Sequence, residues 1–332
     1  MIPEQMKIIS LISYEDSPNS FQVTHKPLRP IKENEVLIKM EASPINPSDL
    51  MFVKGMYGIK KKLPIVPGFE GSGIIVAKGT DVQNVSEGMR VSCSAPYNGD
   101  GTWAEYMITT KESCIPLLDS VSLKEGATLF VNPLTARGLV EIGIKEKHGA
   151  IVQTAAASSL GKMVIKFARR ENIPVINIVR RDEQVEVLKQ EGADHVLNSS
   201  EQGFDSKLRK LAKTLNATLL IDAVAGNLLV KVLSLLPMGS KAIVYGALSE
   251  EGIQMNPGIF IFQNKKIEGF WLSSFLFQKT PEEMLKIANE VQELISKEFK
   301  TEIYKEVPLE EGYNALQIYK ENMGKGKVLF VL

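Results

Sequence analysis

One stretch near the middle of this 332-residue chain restricts its fold more than any other. An apolar run, Ala150-Ile151-Val152, leads into Ala155-Ala156-Ala157-Ser158-Ser159-Leu160-Gly161. A segment with an apolar helical face follows, Lys162-Met163-Val164-Ile165-Lys166-Phe167-Ala168. The order predicts a buried parallel strand, a tight turn and a helix. Such a turn aims free backbone N–H groups and the positive end of a helix at a pyrophosphate. The next apolar run, Val175-Ile176-Asn177-Ile178-Val179, predicts a second strand, and Arg180-Arg181 close it. Its far end lies about 20 residues past the turn, where a dinucleotide fold meets the adenosine ribose. An acidic residue there accepts from the 2′-hydroxyl of NAD. Two arginines cannot accept, but they can clamp a 2′-phosphate. The pair predicts NADPH.

The glycine pattern is sparse. Of Gly-x-Gly-x-x-Gly only the last glycine survives, as Gly161, and Ser158 stands where backbone must approach phosphate closely. Taken alone, the turn also fits an ordinary strand–turn–helix of small residues. Its place after a strand and before a helix, together with Arg180 and Arg181, favours the nucleotide reading. Ala155, Ala156, Ser158, Ser159, Leu160 and Gly161 are therefore candidate cofactor contacts.

From about Leu123 the chain alternates strand and helix patterns. Strands are expected over 150–154, 175–179, 195–197, 219–222, 242–245 and 267–272, with helices over 183–190, 204–215, 228–236 and 281–299. Six strands with helical crossovers predict a doubly wound parallel sheet. Ligands bind at the carboxyl ends of strands in this architecture. Asp222 at the fourth strand end and Tyr245-Gly246-Ala247 at the fifth are further cofactor candidates. The first third reads differently, with short β runs at 36–40, 73–77 and 90–93 punctuated by Pro44, Pro47, Pro64 and Pro67. That predicts a small, irregular β domain. The tail, ending Gly324-Lys325-Gly326-Lys327-Val328-Leu329-Phe330-Val331-Leu332, finishes as a strand that a completed six-stranded sheet cannot take, so it is expected to return to the first domain. The expected division is 1–123 with 299–332, and 124–298, packed around a cleft.

Charge and cysteine count bound the function. With 39 basic and 39 acidic residues, no net charge favours nucleic acid or an anionic membrane. The apolar runs are short for a membrane span. Residues 1–6 lack the charged and apolar regions of a signal peptide. Cytoplasmic residence is expected. Cys93 and Cys114 make neither a disulfide framework nor a CxxC knuckle. His25, His148 and His195 stand apart from one another and from the cysteines, so no metal site is expected.

The order of a β domain, a nucleotide-binding domain and a C-terminal return resembles the medium-chain dehydrogenase/reductase superfamily over essentially the whole chain. The resemblance implies a GroES-like, mainly β catalytic domain beside a Rossmann-type domain. In the zinc-dependent members a cysteine and a histidine hold the catalytic metal. The matching stretches here are Ile45-Asn46-Pro47-Ser48-Asp49 and Pro67-Gly68-Phe69-Glu70-Gly71, with Asn46 and Phe69 at the ligand positions. Among zinc-free members, Gly101-Thr102-Trp103-Ala104-Glu105-Tyr106 is similar to the quinone oxidoreductases. Gly55-Met56-Tyr57-Gly58, Val131-Asn132-Pro133-Leu134-Thr135-Ala136 and Gly269-Phe270-Trp271-Leu272-Ser273 resemble the mitochondrial-type 2-enoyl thioester reductases. Both branches imply NADPH-dependent reduction of a quinone or of a carbon–carbon bond conjugated to a carbonyl. Ser158 in place of the middle glycine, and Arg137 where an aromatic is common, depart from the pattern.

Reducing an enone requires hydride placed over the β-carbon, a stabilised enolate oxygen and a proton for the α-carbon. Without a metal, hydrogen-bond donors must stabilise the oxygen. Tyr57 is the first candidate, since a phenol with a pKa near about 10 is a neutral donor at pH 7, and the resemblance places it against the nicotinamide. The alternative is a loop tyrosine packed at a domain seam. Asn46 either serves the site or fixes its own turn. Thr135 either contacts the nicotinamide or caps a helix. Trp271, expected on the sixth strand beside Phe270, either walls a substrate pocket or packs in a core or subunit interface. Lys162 either touches phosphate or is solvated. Lys60-Lys61-Lys62 is either a solvated loop or a landing patch for the anionic arm of an acyl thioester. The expected substrates are small enones, quinones or acyl thioesters. The apolar strand 267–272, unprotected at the sheet edge, predicts a homodimer.

Overall fold

Alternating apolar runs in the first third become strands in the computed structural model, which describes residues 2–299 and 301–332. In chain order these are β1 (Gln5–Leu11), β2 (Phe21–Pro27), β3 (Glu35–Pro44), helix α1 (Pro47–Val53), β4 (Glu70–Lys78), β5 (Arg90–Ser94), β6 (Tyr106–Thr110), β7 (Cys114–Pro116) and helix α2 (Leu123–Gly126). The alternating part follows as α3 (Val131–Lys145), β8 (Ala150–Gln153), α4 (Ser159–Arg170), β9 (Val175–Val179), α5 (Asp182–Gln190), β10 (His195–Asn198), α6 (Phe204–Thr214), β11 (Ala217–Asp222) and α7 (Gly226–Leu235). It continues as β12 (Lys241–Val244), α8 (Gly258–Gln263), β13 (Lys266–Gly269), α9 (Leu272–Phe277) and α10 (Pro281–Lys297). The chain ends with β14 (Ile303–Val307), α11 (Gly312–Asn322) and β15 (Lys327–Val331).

Two compact units result. The β unit runs through Val131 and takes in Ala288–Leu332, and the second unit is Asn132–Ile287. The exchanges thus fall at 131/132 and 287/288, where 123/124 and 298/299 were expected. Helices α3 and α10 both run across the exchange points, and an unbroken helix leaves no composition shift to mark a boundary.

In the β unit the sheet order is β14-β15-β3-β4-β5-β7, with β6 also on β3, while β1 and β2 form a separate pair. The C-terminal strand does return here: β15 pairs antiparallel with β3, placing Leu329 opposite Pro44 and Phe330 opposite Ser43. Trp103 and Phe330, both fully buried, meet at 5.2 Å between ring centres. One core gathers Ile9, Leu11, Ile45, Phe52, Val66 and Phe330, and a second gathers Ile38, Met40, Ile75 and Met107.

In the second unit six parallel strands lie in the order β10-β9-β8-β11-β12-β13. Numbered from β8 in chain order this is 3-2-1-4-5-6, the dinucleotide-binding arrangement. Every residue of β8 and β9 is buried, as expected of strands covered on both faces. Helix α4 buries Met163, Val164, Phe167 and Ala168 and turns Arg169 and Arg170 outward. The sixth strand is shorter than expected. It pairs Lys266–Gly269 with Lys241–Val244, and β12 offers no partner beyond Val244. The chain therefore leaves the sheet after Gly269, and Trp271 becomes the N-cap of α9, a correction to its expected place on the strand.

Candidate active site

The nucleotide unit reverses strand order between β8 and β11, and the residues there are held tightly. Asp222, fully buried, accepts from Thr154 Oγ1 at 2.6 Å and from the Ala225 amide at 2.6 Å. Thr154 Oγ1 accepts in turn from the Ala223 amide at 3.0 Å. Burial pushes the Asp222 carboxyl above its ordinary range, against the hydrogen bond from Thr154. Both its oxygens are engaged within the crevice wall, so Asp222 shapes the switch point by joining the ends of two strands. The Tyr245 amide donates to the Asp222 carbonyl at 2.9 Å just past the end of β12. Its hydroxyl is buried without a hydrogen-bond partner, and burial raises its pKa with Asp222 adding to the effect. Gly246 and Ala247 continue the turn, half-buried.

The seven-residue turn adopts the expected form. Ala155 takes a left-handed backbone, φ +49°. Ser158 is the N-cap of α4, its Oγ accepting from the Gly161 amide at 3.1 Å. Gly161 is required by contact: a Cβ there would stand 2.4 Å from the Ala156 carbonyl oxygen. Ala156 is buried, while Ser158, Ser159 and Leu160 stay partly exposed at the helix start. Lys162 is not solvated: its side chain is largely buried, 3.8 Å from Glu191.

At the end of β9, Arg180 and Arg181 line a recess of about 400 Å³ with Asp182, Glu183, Asn198, Ser200 and Glu201. Ser200 Oγ donates to the Arg180 carbonyl at 3.2 Å, and Asn198 Nδ2 donates to Asp182 Oδ1 at 2.8 Å. Asn198 and Ser200 were not foreseen. Asn198 ends the third strand in chain order and Ser200 follows it, and only the observed neighbouring of β10 and β9 carries them to the arginines. Thr135 is buried within the second turn of α3, since that helix begins at Val131 and not after Pro133. It is therefore no cap. Phe270 packs on Phe275 at 5.6 Å and lies so close to α3 that a Cβ on Gly138 would approach its ring to 2.8 Å. Trp271 remains 38% exposed.

The β unit contributes a different kind of site. Tyr57, half-buried, lays its ring 4.7 Å from that of Phe69, tilted by 42°. Phe69 meets Phe52 edge-on at 5.5 Å, and Phe52 meets Tyr14 edge-on at 5.7 Å. Beneath this ladder lies a buried charged cluster. Asn46 is fully buried: its Nδ2 donates to Glu70 Oε1 at 2.8 Å, and its Oδ1 accepts from the Lys327 ammonium. Glu70 Oε2 accepts from the amides of Phe130 and Val131 at 2.9 and 2.8 Å. Asp49 accepts from the amides of Asn46 at 2.8 Å and Phe69 at 3.1 Å. Burial pushes Asp49 up to about 7, with Glu70 adding to the rise. Burial also raises Glu70 and lowers Lys327, while their mutual attraction opposes both shifts.

Asn46 is thus engaged at both ends of its carboxamide inside the unit, beside the turn it closes. Lys327 and the paired carboxyls were missed because the sequence shows the lysine only as one charge before an apolar strand. The charge run 60–62 also divides. Lys61 donates to the carbonyls of Pro96 and Gly99 at 3.0 and 2.8 Å, whereas Lys60 and Lys62 are exposed. Among the described residues no group of three or more His, Cys, Asp or Glu is arranged to hold a metal ion.

Comparison with known proteins bears on both units. The alcohol dehydrogenase GroES-like domain matches residues 32–119, and the zinc-binding dehydrogenase family matches residues 159–290. The mitochondrial enoyl-[acyl-carrier-protein] reductase of Arabidopsis thaliana is 35% identical over 273 residues, 80% of this chain and 72% of that protein. Its human counterpart is 28% identical over 95% of this chain and 86% of its own length. A structure from Mesorhizobium loti assigned as an NADPH:quinone reductase superposes with a TM-score of 0.91 at 35% identity, covering 100% of both chains. An enoyl thioester reductase from Candida tropicalis shares the fold, with a TM-score of 0.83 at 22% identity over 100% of both chains. Alignment of this extent over both units makes the chain a member of the medium-chain dehydrogenase/reductase superfamily, in its quinone and enoyl reductase branch.

Proposed function

We propose that this protein is an NADPH-dependent, zinc-independent reductase of quinones or α,β-unsaturated carbonyl compounds. The observation that carries the reading is the recess formed by Arg180 and Arg181 at the end of β9. Two exposed cations there, joined by the Ser200 hydroxyl once it turns from the Arg180 carbonyl, suit a 2′-phosphate, and a guanidinium binds phosphate with two parallel donors. The helix start at Ser158–Gly161, with the left-handed Ala155 before it, suits a pyrophosphate. NADPH, when bound, supplies the hydride. Thr135 borders the nicotinamide in this reading, and Phe270 and Trp271 wall the acceptor. Tyr57 donates a hydrogen bond to the oxygen that gains charge, or a proton to carbon, its ring steadied by Phe69.

A second reading, reduction of a 2-enoyl thioester, is favoured by relatives named enoyl-[acyl-carrier-protein] reductase. Exposed Lys60 and Lys62 would then receive the anionic arm of the thioester. A third is an NADPH-binding relative without turnover. Homodimerisation belongs to the same proposal: β13 is an open sheet edge, and Ile261, Phe262 and Phe277 nearby in sequence are 71%, 77% and 93% exposed. No helix among the described residues is long and apolar enough to cross a membrane. A cytoplasmic location is proposed from composition, and cell fractionation tests it.

Single-turnover oxidation of NADPH, after exhaustive chelation, tests the function with crotonyl-CoA and 1,4-benzoquinone as acceptors. The wild type should turn over with at least one, and Tyr57→Phe should lose on the order of 10²–10³ in rate with NADPH affinity unchanged. Stoichiometric NADPH binding without oxidation by any acceptor would favour the third reading. Light scattering on the same preparation should give twice the chain mass.

A further inference from the structure

Tyr57 stands in the connection between α1 and β4, residues 54–69, which contains no helix or strand of its own. The phenol of Tyr14 holds it from outside the connection. Its hydroxyl donates to the Lys61 carbonyl at 2.7 Å and accepts from the Lys61 amide at 2.7 Å. One side-chain oxygen thereby serves both backbone groups of a single loop residue, as a neighbouring strand would. The far end of the connection is closed by a two-way bridge between Ile65 and Leu11, at 2.8 and 3.1 Å. At the near end, Gly55 lies under Tyr14, where a Cβ would come 3.0 Å from the tyrosine Cβ. Tyr14 also ends the aromatic ladder through Phe52 and Phe69 to the Tyr57 ring. The ammonium of Lys61 then ties the connection to the 96–99 loop through two carbonyls.

We propose that Tyr14 is a positioning residue for Tyr57, holding the catalytic loop by its hydroxyl clamp on Lys61 and by the ring ladder. The proposal rests on the assignment of Tyr57 as the donor. Tyr14 reaches the loop from the β1–β2 connection, while Phe69 and Lys61 belong to the loop itself, one packing on the Tyr57 ring and the other tying the loop to residues 96–99. Fixing a donor in this way matters because its hydrogen bond must meet the acceptor oxygen in the transition state, and small displacements there carry large rate effects.

Tyr14→Phe removes the hydroxyl and keeps the ring. Hydride transfer from NADPH to crotonyl-CoA or 1,4-benzoquinone, whichever the wild type reduces, should slow about tenfold. NADPH affinity should stay within about twofold, because the nucleotide contacts lie in the other unit. In a Tyr57→Phe background the same change should slow hydride transfer by less than about twofold, the non-additivity expected of residues acting through one group. Wild-type rates in Tyr14→Phe, or equal losses in both backgrounds, overturn the proposal. A silent Tyr57→Phe instead overturns the assignment of the donor. Hydrogen exchange at the Lys61 amide reads the clamp independently and should accelerate at least about tenfold in Tyr14→Phe; unchanged exchange refutes the clamp. Should Tyr14→Phe fail to fold, Tyr14→His keeps an aromatic ring and removes the phenol that reaches the Lys61 backbone. Unchanged hydride transfer in that variant would equally refute the proposal.

Discussion

The nucleotide unit and the β unit prepare for chemistry in opposite ways. In the former, the groups suited to a ligand are backbone amides at the start of α4 and two arginines at a strand end, all supplied within one stretch of about 30 residues. In the latter, the groups converge from distant parts of the chain: Asn46, Glu70 and Lys327 meet although 281 residues separate the first from the last. Charges in the nucleotide unit stand at an open recess, where they can meet an anion. The charges of Asp49, Glu70 and Lys327 in the β unit are buried and answer one another. In the proposed reading the first arrangement meets a ligand, whereas the second holds backbone in place.

The contrast breaks first if the arginines do not recognise. Charge-assisted bonds contribute about 1.5–3 kcal/mol each, so Arg180→Ala with Arg181→Ala should raise the Kd for NADPH on the order of 10²–10⁴-fold. The Kd for NADH should barely move. Equal losses for both cofactors, measured by fluorescence titration, would remove the 2′-phosphate assignment.

The next largest effect concerns the buried ammonium. Lys327→Met leaves Glu70 buried without its cation, and breaking such a pair costs about 3–5 kcal/mol. Urea unfolding should show that loss, while binding of 2′,5′-ADP to the folded protein stays unchanged. The neutral pair Glu70→Gln with Lys327→Met should regain most of the stability. An unaltered midpoint in Lys327→Met would mean that the cluster does not brace the β unit.

A smaller difference separates the units by pH. Asp49 is raised to about 7 by burial, so between its unfolded value and that pH the folded state keeps a proton that the unfolded state sheds. Its contribution to stability therefore falls as pH rises towards 7 and levels off above. Wild type should lose stability relative to Asp49→Asn from pH 5 to pH 7.5, as read from urea midpoints. A gain over that range would show the carboxylate held in its charged form.

Glu141 in the nucleotide unit has the reverse sign and the smallest effect. Burial raises it, but hydrogen bonds from Lys145 and Lys279 outweigh this and leave its pKa lowered. Its contribution is complete above the ordinary carboxylate range and disappears as pH falls through the lowered value. Glu141→Gln should cost at most about 1 kcal/mol at pH 7, and the loss should vanish in acid. A loss that persists at pH 3 would locate the effect in packing.

Legibility followed the distance along the chain over which each feature is built. The strand, turn and helix at 150–170 and the arginines after Val179 were readable because periodicity and order act on neighbours. The short sixth strand was not, because it ends where β12 runs out of partners, and Trp271 left the sheet for that reason. The start of α3 was not legible either: the helix begins at Val131, ahead of Pro133, which removes capping as the alternative role of Thr135. Asn46 stood on a recognisable motif, yet its partner Lys327 lies on a strand from the other end of the chain.

The sequence by itself determined the parallel sheet, the arginine pair at the end of its second strand, the C-terminal return and the motif around Tyr57. Each depends on residue types at short spacing, where propensity and burial pattern act directly on the local backbone. Only the tertiary structure decided that Ser200 joins the arginines, that Lys327 charges the space beside Asn46 and that Tyr14 grips the loop of Tyr57. Those contacts arise from strand order and register between remote segments, and a register carries no mark in either segment alone.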